Sequence, residues 1–576
     1  MTTRRLGVIL AAVAVLGLVL AVASMRLLPT TTSTGDRALL ELYTMHAADG
    51  DLRVGPYSRF QWNHPGPIYL YAAAPLFALS GQREFGLHPT ALLINIAALA
   101  AFIFIVARFG GAALGWSAIA ALALFLFRSA PFPGRAISQL LISPWNPHVV
   151  ILPFALLIAL CAVLAAGRSL VLPAIALVGS FIVQTHIGLL PCTVAVVTVA
   201  LVLWFLGDRV RPGPAIATDD RAATSHRPWL LAAGGVLLVL WMLPLADQVA
   251  GTGNAGEIVR FLLSDDRPRP SLATSLTALA YGLSGAVRPD QRLAIGNVTV
   301  VGGEMGPVPA AWPVLLLVLL ALAWRWAVRQ GRPFHAALCL LCLVTTLAAG
   351  WSVFNVRGVM RDYLILWVSM LGTVSLAALG GVVAWWVGRV LTSRRFELPA
   401  GFGPVSMMAF VLVVFLLGAG SLGLEYRRTL AGQGSSPRQR EIVADLFHEV
   451  EDHLRARGYR SARIRVAPSV WGIAASVVLQ LHKTDIAVAV PDPLLPMFTG
   501  ALRSTGEEQV VLRFVGPALD GELRGQPRYS LITESRGVVG PVNALTPAVS
   551  VYEQRPPGPP GGRDRRSEMS REEGDP

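Results

Sequence analysis

Lysine is almost missing from this sequence. The chain carries 48 Lys and Arg residues, and Lys483 is the sole lysine. With so much Ala, Gly and Val, this usage marks a GC-rich genome and says nothing about mechanism. Charge of either sign is scarce: 14% of the 576 residues are charged and 54% are hydrophobic, with a mean hydropathy of +0.56. A water-soluble chain of this size cannot hide that much apolar surface, so part of its solvent is lipid. Cysteine is scarce as well. Cys161, Cys192, Cys339 and Cys342 all fall inside apolar runs, which excludes a disulfide framework. Cys339 and Cys342 have C-x-x-C spacing without a second ligand pair, and they read as small apolar filler. The isoelectric point of about 10.3 would suit a nucleic-acid binder. The arginines, however, lie between apolar runs and do not cluster on one polar domain, so nucleic acid is not an expected partner.

Long apolar runs are what the chain has instead. A membrane-crossing helix needs about 20 mostly apolar residues. Eleven segments are expected to cross: 6–27, 88–107, 111–127, 148–166, 169–187, 189–206, 229–246, 309–324, 334–351, 363–387 and 402–422. The first follows Arg4 and Arg5 like a signal peptide, but no cleavage site precedes its Arg26-Leu-Leu-Pro29 exit, so it reads as an uncleaved anchor. Residues 66–80 are apolar but short, and are expected to lie in or dip into the interface. With the N-terminus inside, the inner loops collect Arg4, Arg5, Arg108, Arg168, Arg209, Arg211, Arg221, Arg227, Arg325, Arg329, Arg332, Arg389, Arg394 and Arg395, as the positive-inside rule requires. This reading puts a multi-pass protein in a bacterial plasma membrane, its N-terminus cytoplasmic and its C-terminal region extracytoplasmic.

The expected fold class is therefore an α-helical polytopic membrane protein with a small C-terminal extracytoplasmic α/β domain. Residues 1–428 form the membrane part, 429–554 the α/β domain and 555–576 a polar, Pro/Gly-rich tail expected to be disordered. In the α/β domain, 438–458 has helical apolar spacing and 462–467 alternates like a strand. Residues 470–482 are an apolar helix, and 485–490, 509–515 and 529–533 are further strands. The domain has no phosphate-binding glycine loop and no nucleophile motif, so docking or acceptor guidance is its expected role.

Polar residues stand out against this background. Asp36 and Glu41 lie just outside the first span, ahead of a Trp62-Asn63-His64-Pro65-Gly66-Pro67 turn and the helix it starts. Asp36 is also a natural helix N-terminal residue. Gln184, Thr185 and His186 end the fifth span; polar groups at such depth point either to function or to helix–helix hydrogen bonds. Trp62 and Trp145 serve sugar stacking or interface anchoring. Asp247, Gln248, Asn254 and Glu257 follow the seventh span and are candidates to line a cavity. Arg357 and Arg361 sit in an outer hairpin against the charge bias, spaced to share a helical face.

In layout the chain resembles the GT-C superfamily of polytopic glycosyltransferases, which includes protein mannosyltransferases, lipid A aminoarabinose transferases and actinobacterial arabinosyltransferases. The resemblance rests on an N-in first helix, Gly35-Asp36 early in the first outer loop, the His64-Pro65-Gly66-Pro67 turn and the amphipathic segment 68–81. It covers 5–210 well and the later spans in outline. It implies a sugar donor linked to polyprenyl phosphate and a lipid, glycan or protein acceptor. It also implies a first-loop acid, Asp36, that activates the acceptor hydroxyl directly or through a divalent metal. Arg357 and Arg361 would hold the phosphate, while Glu41, His64, Asn146, His148, Gln184 and His186 would bind substrate. One departure stands out: the second outer loop, 128–148, has no Asp or Glu where many members carry a second acid, and offers Gln139, Ser143, Trp145, Asn146 and His148. A transporter or lipid flippase remains an alternative, though no inverted repeat and no mid-span charge supports it. A noncatalytic envelope-assembly protein derived from a transferase is another.

Overall fold

The computed structural model describes residues 16–128, 139–207, 226–264, 267–287, 311–393, 404–433, 437–539 and 545–555. Arg4, Arg5, the start of the 6–27 span, Arg209, Arg211, Arg221, Arg394, Arg395 and the tail from 556 lie outside the described residues. The chain divides into two compact units. One comprises 1–31 and 40–434, the other 32–39 and 435–576.

The first unit is helical. Eight of its described helices are long and apolar enough to cross a membrane: Glu84–Gly110, Asn146–Ala165, Ile187–Leu206, Arg227–Ala250, Trp312–Arg329, Pro333–Phe354, Val368–Val390 and Val405–Leu430. Three more of the expected spans, Leu16–Leu27, Ala112–Arg128 and Ser169–Thr185, are shorter apolar helices within the described residues. At the centre stands Ile151–Ala165, apolar on every face. It packs against His88–Gly110, Leu172–Thr185, Leu190–Leu206, Pro333–Phe354 and Val368–Ser393, as a helix without a polar stripe must. Arg227–Ala250 is the opposite case: it packs on Leu172–Thr185 and leaves Leu231, Leu238 and Val239 largely exposed, a surface suited to lipid. The four cysteines are buried and free.

Two elements of this unit add to the expected picture. Ile68–Leu79 is a helix, but Tyr69, Leu70, Ala73, Ala74 and Phe77 are buried, and it packs on Leu172–Thr185 and His88–Gly110. Its last carbonyls, Ala78 and Leu79, accept hydrogen bonds from the Arg26 guanidinium at 2.8 and 2.7 Å. An apolar helix at Leu272–Ser284 was not among the expected elements. At 13 residues it is too short to register as a span. It packs against Pro333–Phe354 and Val368–Ser393, with glycines making the closest approaches. A Cβ on Gly372 would sit 2.2 Å from the Leu283 carbonyl oxygen, and one on Gly282 would sit 2.7 Å from Val368 Cβ.

In the second unit, β3 (Ser461–Val466), β4 (Ala487–Ala489), β5 (Val510–Val515), β6 (Tyr529–Ser535) and a last strand, Val549–Gln554, form one sheet. The order is β4, β3, β5, the last strand, β6. The pairs β3–β4 and β3–β5 are parallel, and the last strand runs antiparallel to both β5 and β6. It was not anticipated from the sequence, and it separates two strands that are neighbours in the chain. Pro437–Ala456 and Trp471–His482 pack together. The first buries Ile442, Val443, Leu446, Val450 and Leu454 at helical spacing.

Because the obstacle at Gly372 is backbone rather than a flexible side chain, Gly372→Ala must push two helices apart. It is expected to cost about 1–3 kcal/mol, read as a lowered midpoint of thermal unfolding in detergent. Gly420→Ala, at a position where a Cβ meets nothing within 4 Å, should leave the midpoint unchanged.

Candidate functional site

The loop between the helices Asp36–Asp49 and Ile68–Leu79 folds into a small hairpin. β1 (Tyr57–Ser58) and β2 (Trp62–Asn63) pair antiparallel, with Ser58 opposite Trp62. The turn Arg59-Phe60-Gln61 closes with Gln61 N–H donating to the Ser58 carbonyl at 2.9 Å, and Gln61 takes a positive φ of 65°. The hairpin tip therefore presents Arg59 and Phe60, neither of which the sequence reading singled out.

Neighbouring segments hold this hairpin through its backbone. The Asn254 side chain accepts from the Asn63 N–H and donates to the Asn63 carbonyl, both at 2.8 Å. Asn254 is fixed in turn by Asp247, whose carboxylate accepts from the Asn254 amide (3.1 Å), the Thr252 amide (3.0 Å) and the Thr252 hydroxyl (2.8 Å). Gln248 Oε1 accepts from the Gly256 amide at 2.9 Å, and Glu257 pairs with Arg260 at 2.7 Å. This run builds the support of the site. Asn63 Nδ2 donates to the Tyr43 hydroxyl at 3.1 Å.

On its other side the loop meets the turn after Leu172–Thr185. The Gly66 amide donates to the Gln184 carbonyl at 3.4 Å, and a Cβ on Gly66 would lie 2.2 Å from Gln184 Oε1, so a side chain there would displace the Gln184 amide group. Gln184 Nε2 donates to the Leu240 carbonyl at 2.8 Å. Asn146 Nδ2 donates to the Thr185 carbonyl at 3.2 Å, and His148 Nδ1 lies 2.8 Å from Ser143 Oγ.

The result is an arc of rings drawn from five segments. Ring centroids are 5.0 Å apart from His148 to Trp145 and 5.0 Å from Trp145 to Tyr363. On the far side they are 6.0 Å apart from Phe60 to Trp62, 5.5 Å from Trp62 to His64 and 5.2 Å from His64 to His186. Phe261 packs on both Phe60 and Trp62, at 4.7 and 5.6 Å. Arg59 joins the two halves, its guanidinium carbon 4.8 Å from the Phe60 centroid and 5.8 Å from that of Tyr363, within cation–π range. The Arg267 guanidinium lies 5.3 Å from the same Phe60 ring.

The electrostatics differ along the arc. Burial lowers the Arg59 pKa from its ordinary value; Tyr363 opposes this, and the nearby cations Arg361 and Arg267 add to it. Arg59 Nη2 donates to the Val359 carbonyl at 2.7 Å, while its Nε is buried without a hydrogen-bond partner among the described residues. Within those residues neither Arg59 nor Arg267 has a carboxylate partner. Three guanidinium groups gathered in this way form a cation cluster. Arg357 lies behind it, buried, donating to the Leu262 carbonyl at 3.3 Å. At the other end burial holds His64 well below the usual imidazole range, with His186 adding to the effect. His64 Nδ1 accepts the Ile187 amide at 3.2 Å, so the neutral ring carries its proton on Nε2. Both His186 nitrogens, Thr185 Oγ1 and Trp62 Nε1 are buried without hydrogen-bond partners among the described residues.

The structure thus brings His64, Asn146, His148, Gln184, His186 and Arg361 into one region of the first unit, with Arg357 supporting it. Glu41 is buried in that same unit. Asp36 opens the helix Asp36–Asp49, is exposed, and belongs to the second unit. No group of three or more His, Cys, Asp or Glu side chains suited to holding a metal ion occurs among the described residues. Arg59 and Arg267 were missed because isolated arginines in loops carry no periodicity. Their distinguishing sign was the aromatic Phe60 beside Arg59.

The sequence matches no family model, and no curated protein matches it. Among solved structures the chain is similar to ArnT from Cupriavidus metallidurans bound to undecaprenyl phosphate, with 13% identity, a TM-score of 0.50, and coverage of 96% of this chain and 98% of that one. The apo structure of the same protein matches at 12% identity, a TM-score of 0.49 and the same coverage. The chain has an ArnT-like fold over nearly its whole length.

Buried His64 makes stability pH-dependent. A histidine whose pKa is depressed in the fold binds its proton more readily when unfolded. The stability it contributes is therefore complete above the unfolded value near 6.5 and is lost as pH falls through its depressed folded value. Thermal unfolding in detergent between pH 8 and pH 4 should show the midpoint falling with acid, and His64→Phe should flatten that fall.

Proposed function

We propose that the chain is a membrane glycosyltransferase that moves a sugar from a polyprenyl-phosphate-linked donor to a lipid, glycan or protein acceptor of the cell envelope, outside the cytoplasm. The observation that carries this reading is the cation cluster of Arg59, Arg267 and Arg361 set against aromatic rings, in a chain with a GT-C-like fold. The phosphate of a departing lipid carrier gains charge as the glycosidic bond breaks, and guanidinium donors in a partly desolvated site stabilise that charge. Aromatic faces suit the C–H faces of a sugar ring. The neutral His64, with its proton on Nε2, suits hydrogen bonding to a sugar or acceptor oxygen; Glu41, Asn146, His148, Gln184 and His186 complete the substrate side.

The acceptor hydroxyl attacks the anomeric carbon, and the bond from that carbon to the lipid phosphate oxygen breaks. The hydroxyl proton passes to Asp36, acting as base, and the single displacement inverts the anomeric centre; a divalent metal, were one bound, would be held by the same carboxylate and would polarise the acceptor hydroxyl. Arg357 would act on phosphate only through the loop it braces. A second reading draws on the acid-free second outer loop: a GT-C-derived assembly protein that binds the lipid-linked sugar without transferring it.

The test is sugar transfer by purified protein from a panel of radiolabelled polyprenyl-phosphate sugars, with folding checked by thermal unfolding. Wild type should transfer from at least one donor. Asp36→Asn should lower kcat by roughly 10²–10⁴-fold, whereas Arg59→Ala should raise KM for the donor and Arg59→Lys should restore it only in part. Donor binding without transfer would favour the assembly protein, and neither binding nor transfer would overturn both readings.

A further inference from the structure

We propose that the C-terminal unit positions Asp36: its helix Trp471–His482 grips the segment just before the carboxylate and sets where that carboxylate stands. The inference rests on the reading of Asp36 as base or metal ligand, and it gives the C-terminal unit a part in turnover beyond docking.

The segment Thr32–Leu39 is remote in sequence from the C-terminal unit yet belongs to it. The Gly35 amide donates to two acceptors on the helix, the Gly472 carbonyl and Ser476 Oγ, each at 3.2 Å. Ser476 Oγ spends its own proton on the Gly472 carbonyl at 2.8 Å, which leaves its lone pairs for Gly35. Ser476 is fully buried, and so is Ser33 on the segment. One residue further back, the Thr32 carbonyl accepts from Arg440 Nη1 at 2.6 Å. Ala38 and Leu39 are buried as well. Asp36, between these anchors, is exposed.

Gly35 is the hinge of this arrangement. Its φ is +58°, a left-handed conformation that costs glycine least. Its carbonyl accepts the Ala38 and Leu39 amides at 3.0 and 3.3 Å, so it is the residue that starts the helix Asp36–Asp49. Fixing the Gly35 amide therefore fixes the first turn of that helix, and Asp36 is its first residue. A carboxylate that must meet a hydroxyl within hydrogen-bond reach is sensitive to such placement, since a shift of about 1 Å can cost on the order of 10²-fold in rate.

The contact is close enough to be graded by side-chain size. A Cβ on Gly472 would lie 3.6 Å from Gly35 Cα, an ordinary van der Waals distance, so Gly472→Ala fits. The two methyl groups of Gly472→Val do not fit without displacing the strap.

The experiment uses the full-length protein in the sugar-transfer assay, with kcat and donor KM separated, thermal unfolding for each variant and hydrogen exchange at the Gly35 amide. Gly472→Val should lower kcat at least tenfold with donor KM unchanged and faster exchange at Gly35, while Gly472→Ala stays within twofold of wild type. Ser476→Ala should lower kcat several-fold, and Ser476→Thr, which keeps the hydroxyl, should recover it. Should Gly472→Val not fold, Arg440→Met provides the same test from the Thr32 side. Wild-type kcat in a folded Gly472→Val or Arg440→Met, alongside an inactive Asp36→Asn, would overturn the positioning role and leave the base assignment intact. An active Asp36→Asn would instead remove the base assignment and the proposal with it.

Discussion

The candidate site depends on a pair of hydrogen bonds between the Asn254 side chain and the two backbone groups of Asn63. A two-stranded hairpin is marginal by itself in water, and this one spends its tip on charged and aromatic residues that add no internal packing. Clamping Asn63 from outside supplies the order its own few backbone bonds cannot. The clamp is buried, so its bonds do not compete with water, and Asp247 holds it in place through three groups of the same turn. From the fixed hairpin follow the positions of Arg59, Phe60, Trp62 and His64, and with them the join between the two halves of the aromatic arc.

That arc separates two kinds of polar environment with the same sparse set of residues. At one end three arginines converge, and rings pack against Arg59 and Arg267. Flat π faces accept a guanidinium without cancelling its charge. At the other end burial keeps His64 neutral. Such a division suits a reaction in which a phosphate gains charge at one place while neutral hydroxyl groups are oriented at another.

Much of the membrane architecture was legible because a span is a local property. About 20 apolar residues in a row register whatever surrounds them, and the expected runs recur as apolar helices, with Ile151–Ala165 buried on all sides as its unbroken hydrophobicity requires. Leu272–Ser284 escaped notice because a short helix buried between two others needs no such length. The last strand of the sheet escaped for another reason: its place between β5 and β6 is a choice of pairing partner, and β-strand sequence carries no record of its partner.

At the site, residue types were legible and assemblies were not. The sequence by itself determined that polar, aromatic and arginine residues would stand just outside apolar runs, where lipid gives way to water and their cost falls. It also determined a glycine before Asp36, since few other residues start a helix with a positive φ. Only the tertiary structure decided that Arg59 and Arg267 gather beside Arg361, that Asp247 and Asn254 hold the hairpin, and that Thr32–Leu39 packs with a domain four hundred residues away. Each of these is a contact between segments distant in the chain, set by which backbone groups find partners when the helices pack. No local pattern of apolar and polar residues encodes that outcome.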